Sequence, residues 1–295
     1  MDIFGIAALG TAFFWACSGL LAVYPVAQLG AFTFNRIRMQ AIFVILCLLM
    51  LLTGGWRTLG SEHIAALAIS GFIGILLGDS LLYTSLQRIG PRRNSILFSM
   101  QAPITAILSF LVLDERLSAL AVGGIALVLI GVILAIAFGR SVGQKHQWES
   151  IKGPLIIGAS IALTAALCQA VSALIAKPVM VAGVDPIAAS VVRVSTAVLF
   201  FTLLGFLPQL RAHAPITPRL FTQSVASGVC GMVLGMTTLL FALAHGKTGL
   251  VATLSSTSPI MILPLLWLRT RERPALGAWI GAAIAIAGIA LIFNR

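Results

Sequence analysis

The sequence predicts an all-α integral membrane protein with ten transmembrane helices, arranged as two inverted five-helix repeats. Of its 295 residues, 59% are hydrophobic and only 9% are charged, and the mean hydropathy is +1.07. A water-soluble domain keeps roughly a quarter of its residues charged, so lipid is the expected solvent of this chain. Apolar runs of bilayer length alternate with short polar breaks, and one stretch of sequence occurs twice.

Ten apolar runs, each near the length of about 20 residues that crosses a bilayer, follow one another along the chain. They cover residues 3–23, 29–53, 63–86, 94–113, 117–138, 153–176, 186–207, 220–243, 249–268 and 275–293. Glycines, prolines and arginines separate them, as in the sequence GPRR at 90–93. The longest polar stretch divides the chain near its middle. We therefore expect a first repeat at 1–139, a polar linker at 140–152 and a second repeat at 153–295.

The duplicated sequence places equivalent residues 157 positions apart. Three glycines in each copy share one spacing: Gly71, Gly74 and Gly78, then Gly228, Gly231 and Gly235. A glutamate begins the spacing E-x8-G-x6-G in each copy: Glu115, Gly124 and Gly131, then Glu272, Gly281 and Gly288. Arg36 has Arg193 as its mate at the same offset. Duplicated membrane units of this kind are typical of secondary transporters.

The odd number of helices in each repeat makes the two copies inverted, because five crossings return the chain to the opposite side of the membrane. Such repeats place a cavity at their junction, near the bilayer centre. Thirteen lysines and arginines fall on the side opposite the termini, and six fall on the side that carries both termini. By the positive-inside rule, this distribution predicts that both termini lie outside the cytoplasm.

The ordered set of motifs resembles the drug/metabolite transporter superfamily, and within it the ten-helix EamA branch. The segment GDSLLYTSLQRIGPRRNSILFSMQAPITAILSFLVLDERL is similar to the third and fourth helices of such a unit, with Pro103 in the fourth. The second copy, GMTTLLFALAHGKTGLVATLSSTSPIMILPLLWLRTRER, fits more loosely, and its Pro259 lies one residue off the common offset. The resemblance covers nearly the whole chain.

The resemblance implies a carrier of small organic solutes in the bacterial inner membrane, often an exporter of amino acids, metabolites or drugs. It also implies a cavity lined by the first, third, fourth, sixth, eighth and ninth helices. Similar family members have both termini in the cytoplasm, whereas the charge distribution of this chain places them outside. Both orientations stay open at this point.

Asp79 is the only acidic residue well inside a predicted helix. An ionised carboxylate at the bilayer centre costs at least about 2.5–3.5 kcal/mol, so it should face a cavity or a partner, or carry a proton. One hypothesis makes Asp79 a proton-coupling or cation-binding group. The other makes it a packing residue held by Ser80, Thr84 or a neighbouring helix. Its repeat mate is Met236, so the duplication itself does not require an acid there.

Polar and aromatic residues on the mid-membrane helices are the candidate cavity lining. The residues that we expect to contact the solute or the coupling proton are Asp79, Trp15, Tyr83, Gln101, Pro103, Gln169, Ser255, Ser258 and Pro259. A mid-membrane proline frees a backbone carbonyl, which needs another partner and can face a solute. Together these residues indicate a site for a modest-sized, partly polar solute.

A second set of residues is expected to be structural. Arg36 and Arg193 lie near the start of the second helix of each half, where an arginine more often reaches the lipid headgroups than binds an anionic solute. Glu115 and Glu272 each precede a helix, whose free N–H groups and dipole a carboxylate complements. The glycines of the last helices permit close contact with a neighbour, within the fold or in a homodimer: Gly124, Gly131, Gly281 and Gly288.

Three classes of function fit a protein of this composition. The first is a secondary transporter of a small organic solute, exporting by alternating access. The chain lacks the phosphate-binding sequence G-x-x-x-x-G-K-[ST], so its driving force would be an ion gradient or the solute's own gradient. The second is an integral membrane enzyme acting on a lipid or small molecule, for which the usual catalytic motifs are missing. The third, a channel, is disfavoured by the inverted duplication.

The expected partners follow from the transporter hypothesis: a small-molecule solute, protons, membrane lipids and, through the glycine faces, a second copy of the chain. The net charge of +11 lies in short gaps between apolar runs, where it would face lipid headgroups and not nucleic acid. The four histidines are scattered without metal-ligand spacing, so we expect no metal and no cofactor.

Overall fold

Helices account for the regular secondary structure of the described chain. The computed structural model describes residues 3–138, 153–207, 215–270 and 275–293, and these ranges contain no strand. The predicted linker 140–152 and Glu272 lie outside the described residues. Because a bilayer offers no hydrogen-bond partner to the backbone, a helix is the form in which each apolar run satisfies its own N–H and C=O groups.

The first repeat contains six α-helices and two short segments of other helical type. They are α1 (Ile3–Leu29), α2 (Ala31–Thr53), a 3-10 turn (Gly55–Thr58), α3 (Ser61–Gly71), a π-helical segment (Phe72–Asp79), α4 (Ser80–Phe98), α5 (Gln101–Leu113) and α6 (Ala119–Ala137). The described part of the second repeat has no such 3-10 turn, and two of its helices, α10 and α11, correspond to α4, which is kinked at Gly90. Its elements are α7 (Leu155–Val181), α8 (Pro186–Leu204), α9 (Pro218–Gly228), a π-helical segment (Val229–Met236), α10 (Thr237–His245), α11 (Thr248–Ser255), α12 (Ser258–Thr270) and α13 (Leu276–Phe293).

Seven of the helical segments in the described chain are long and apolar enough to cross a membrane. Three shorter apolar helices, Ala119–Ala135, Thr248–Ile262 and Leu276–Leu291, supply the rest of the ten predicted segments. Their outer faces are apolar; on α2, for example, Leu48 is 56% and Leu52 84% exposed. Large exposed apolar faces mark contact with lipid. The predicted all-α membrane fold is therefore confirmed.

Several predicted helices are broken at positions that the apolar pattern did not show. The predicted run 94–113 divides at Ser99 and Met100, and the run 249–268 divides at Ser256 and Thr257. A proline within the first three residues of the helix that follows each break, Pro103 or Pro259, explains this, because proline removes a backbone donor and is tolerated only in the first turn. These paired breaks give both repeats a discontinuous fourth helix.

The two repeats interlock through their first helices. Helix α1 packs on α9–α12 of the second repeat, and α7 packs on α3–α5 of the first. Two buried serine pairs join these surfaces. The Oγ atoms of Ser18 and Ser227 donate to each other's carbonyl oxygens at 2.8 and 3.0 Å, and those of Ser70 and Ser172 do so at 2.8 and 2.9 Å. Small hydroxyl residues of this kind permit close helix packing inside a membrane.

The last helices of the two repeats, α6 and α13, pack against each other. A Cβ atom added at Gly131 would lie 2.5 Å from the carbonyl oxygen of Gly281, and one at Gly288 would lie 2.7 Å from that of Gly124. Such distances leave no room for a side chain. Of the two contacts expected for these four glycines, within the fold or in a homodimer, the structure places them within one chain.

Candidate solute-binding site

A small cavity lies at the junction of the two repeats, and its own space is about that of one water molecule. Its polar wall consists of Trp15, Gln101, Thr105, Gln169, Arg193, Thr248 and Ser255. Its apolar wall consists of Ala173, Leu239, Leu243 and Ala252. Four residues predicted to contact the solute are brought together here: Trp15, Gln101, Gln169 and Ser255. This lining offers both polar and apolar groups to a solute.

Helix breaks and the first helices place these polar side chains. Gln101 begins α5 and Ser255 ends α11, so each stands beside one of the paired breaks. Trp15 on α1 donates its indole N–H to the carbonyl oxygen of Gly231 at 3.2 Å, which fixes its ring against the second repeat. Gln169 occupies the matching place on α7, near Gly74 of the first repeat. The lining thus draws on both halves of the chain.

Asp79 is buried and forms an ion pair with Arg38 of α2. Its Oδ2 accepts a hydrogen bond from Nη2 of Arg38 at 2.5 Å, and Nη1 of Arg38 donates to the hydroxyl of Tyr83 at 2.6 Å. The guanidinium also lies over the rings of Phe34 and Tyr83, 5.3 and 5.0 Å from their centres. Asp79 and Tyr83 therefore belong to a cluster beside the cavity, and neither lines it.

Arg193 lies inside the protein and lines the cavity. It is 1% exposed, so the prediction that it reaches the lipid headgroups is wrong. The reason is its depth, since α8 begins at Pro186, two turns earlier. Its Nη2 donates to Ser172 Oγ at 2.9 Å, and its Nη1 contacts Met236 Sδ at 3.2 Å.

The structural counterpart of Arg193 is Arg38 and not Arg36. Each of the two buried arginines contacts the last residue of the π-helical segment in its own repeat, Asp79 for Arg38 and Met236 for Arg193. Arg36 is only half-buried, and its Nη1 lies 3.5 Å from the carbonyl oxygen of Gly205, just beyond the end of α8. A cation there complements the negative end of the helix dipole, which is a structural role.

Glu115 binds the other repeat and does not cap its own helix. Its two carboxylate oxygens accept from the backbone N–H of Thr248 at 2.7 Å and from the Thr248 hydroxyl at 2.9 Å, at the start of α11. The cap of α6 is Ser118, whose side chain accepts from the N–H of Ala121. Glu115 therefore does cap a helix, but that helix is α11 of the second repeat and not α6. The turn after α5 brings its carboxylate to α11.

The other predicted residues lie outside the cavity lining. Pro103, Ser258 and Pro259 stand in the first turns of α5 and α12, where they shape the paired breaks. Sequence reasoning missed Arg38 and Thr248. A signal for Arg38 was available, because a carboxylate within a membrane helix requires a cation on a neighbouring helix. Thr248 offered no comparable signal.

Comparisons with known proteins agree with this architecture. The model of the EamA-like transporter family matches residues 3–137 and again 156–294. A solved structure titled "Crystal structure of protein" superposes with a TM-score of 0.79 at 15% sequence identity, covering 98% of this chain and 96% of its own. At that identity the likeness supports the fold alone. No curated protein matches the sequence. Two family matches that together span nearly the whole chain show that it belongs to the EamA-like transporter family, within the drug/metabolite transporter superfamily.

Proposed function

We propose that the protein is a secondary transporter that exports a small organic solute across the bacterial inner membrane by alternating access. The observation that carries this proposal is the cavity between the repeats, whose lining combines a buried arginine, two glutamines and a tryptophan with an apolar wall. Membership of a transporter family supports it and favours transport over the enzyme and channel hypotheses. We keep 1–139 and 153–295 as the proposed repeat boundaries.

Polar contacts at one end of the cavity support the alternating-access step. Thr248, which lines the cavity, is tied to Glu115 of the first repeat. Nearby, Nζ of Lys177 donates to the carbonyl oxygens of Leu243 and Gly246, both at 2.6 Å. These bonds hold the turn between α10 and α11 against its neighbours. We propose that they break when the cavity opens on that side.

Protons are the proposed coupling ion, and Asp79 is the proposed carrier. Its ion pair with Arg38 joins α2 to the π-helical segment of the third helix. Protonation of the carboxylate would remove the negative charge from this pair and loosen the contact between the two helices. Asp79→Asn should abolish transport driven by a pH gradient in proteoliposomes. Unchanged proton coupling in that variant would rule out this role of Asp79.

The experiment that tests transport itself compares a deletion strain with an overexpressing strain in a screen of metabolites and drugs. Compounds whose cellular content differs between the two strains are then tested for uptake by proteoliposomes that contain the purified chain. Ala173→Phe fills the cavity wall and should abolish uptake, whereas Thr164→Phe, on the exposed part of α7, should not. Equal uptake by both variants would place the pathway elsewhere.

The oligomeric state is a separate proposal. The four glycines that suggested a homodimer are occupied by contact between α6 and α13 of the same chain. A homodimer would therefore need another surface, and a mass measurement of the detergent-solubilised chain decides between one and two copies.

A further inference from the structure

Arg193 carries a buried positive charge that no carboxylate of the described chain neutralises directly. The ion pair of Asp79 is with Arg38, and within the described ranges no acidic oxygen lies at ion-pair distance from Arg193. Its neighbours are the neutral Ser172 Oγ and Met236 Sδ, and its Nε has no hydrogen-bond partner there. A buried, unpaired guanidinium is expensive, so a protein that keeps one has a use for it.

A comparison of the two repeats shows that the second lacks an acid beside its buried arginine. In the first repeat Arg38 contacts the residue that ends the π-helical segment, and that residue is an acid, Asp79. In the second repeat Arg193 contacts the equivalent residue, and it is Met236. Asp79 also interacts electrostatically with Arg193, but its carboxylate must balance two guanidinium groups. The interior beside the cavity therefore has one positive charge in excess.

We propose that the solute itself supplies the missing anion: a small organic carboxylate binds with its charged group at Arg193 and its apolar body against Leu239 and Leu243. Arginine suits this task because its planar fork of donors matches a carboxylate and stays charged. Arg193 lines the cavity, and Gln101 and Gln169 offer further amide donors in the same wall. This inference rests on the proposed function and specifies the solute that the cavity takes.

The test measures which compounds raise the melting temperature of the full-length chain in detergent. The probes are a library of small organic acids, their primary amides and the corresponding amines. We expect stabilisation by acids and none by the matched amides or amines. Stabilisation by amides or amines equal to that by acids would overturn the anion site while leaving transport intact. If no compound of any charge stabilises the chain or exchanges in proteoliposomes, the proposed function itself fails.

Met236→Asp provides the decisive variant, because it gives the second repeat the same charge pair as the first. The new carboxylate should neutralise Arg193, stabilise the empty protein and compete with the solute, so that stabilisation by acids is lost. Met236→Asn is the matched control of the same size without charge, and it should keep the preference for acids. Loss of that preference in both variants, or in neither, would contradict the proposal.

Arg193→Gln tests the same group by removal. A charge-assisted hydrogen bond contributes about 1.5–3 kcal/mol, so acids should bind roughly tenfold to a hundredfold more weakly. Arg36→Gln is the control, because Arg36 lies outside the cavity at the end of α8. If Arg193→Gln fails to fold, the pair of Met236 variants still decides the question. Equal affinity for acids in folded Arg193→Gln and wild type would overturn the proposal.

Discussion

Arg38 and Asp79 form a buried ion pair at 2.5 Å, with side chains that are 1% and 6% exposed. Because neither group reaches water, each depends on the other for its charge balance. Removing one partner of such a pair leaves an uncompensated charge and costs about 3–5 kcal/mol. The pair therefore holds α2 against the third helix and makes the two residues one energetic unit.

We accordingly expect Asp79→Asn and Arg38→Gln each to lower the free energy of unfolding by about 3–5 kcal/mol. The double variant should lose clearly less than the sum of the two, since it removes both partners of the pair and leaves neither of them alone. Thermal unfolding of the detergent-solubilised variants measures this, with Arg36→Gln as the control for loss of an arginine. Additive losses would show that the two side chains do not depend on each other.

The glycines between α6 and α13 give a second prediction. Gly131→Ala would place a Cβ 2.5 Å from the Gly281 carbonyl oxygen and from the Ala285 amide nitrogen, so the two helices must separate. We expect a loss of about 1–3 kcal/mol in the free energy of unfolding, as for other overpacked interiors. Gly123→Ala, on the same helix, is the matched control because a Cβ there meets nothing within 4 Å. A control as unstable as the variant would exclude helix contact as the cause.

The helix count was predictable because apolar runs of bilayer length leave the backbone one solution in lipid. The sequence signalled that Asp79 needs a cation, but not which one, since that depends on how neighbouring helices are rotated. The duplication also indicated the wrong repeat mate for Arg193. Its offset of 157 pairs Arg193 with Arg36, whereas the structural pair Arg38 and Arg193 lies 155 positions apart. Loops of unequal length shift the offset from helix to helix, so one spacing cannot align every residue.

The cavity lining was also predicted only in part from the sequence. Trp15, Gln101, Gln169 and Ser255 were predicted because polar residues are rare at mid-membrane and must face something polar. Arg193 was assigned to the headgroups because arginines near helix ends usually reach them. Its depth was visible in the sequence, because the predicted run begins at residue 186, but its contact with Met236 inside the protein is a property of the folded chain.

Glu115 and Thr248 supply a third prediction, about movement. Glu115→Ala removes the acceptor of both the Thr248 amide and its hydroxyl, and each lost bond costs about 1–3 kcal/mol. The end of the cavity that this contact closes should then open more often. A cysteine introduced by Ser255→Cys in a chain without its native cysteines should react faster with a water-soluble thiol reagent. Glu62→Ala is the control, since that carboxylate is 70% exposed and lies on α3, away from this contact. Unchanged reactivity would separate Glu115 from the opening step.

Membrane orientation is the fourth prediction, and burial sharpens it. Arg38 and Arg193 are each 1% exposed inside the protein, so neither contributes to a charge count that concerns loops near the membrane surface. They were counted on opposite sides of the membrane. Removing one from each side leaves the excess of basic residues opposite the termini unchanged, and both termini are still predicted to lie outside.

A reporter that is active only in the cytoplasm, fused after Arg295, tests this orientation in bacterial cells. We expect no signal there, and a strong signal from the same reporter inserted in the predicted linker 140–152, which lies on the opposite side. The reverse result would place both termini inside, as the family resemblance implies. In that case the basic loops face outwards, and their charge cannot be what orients the chain.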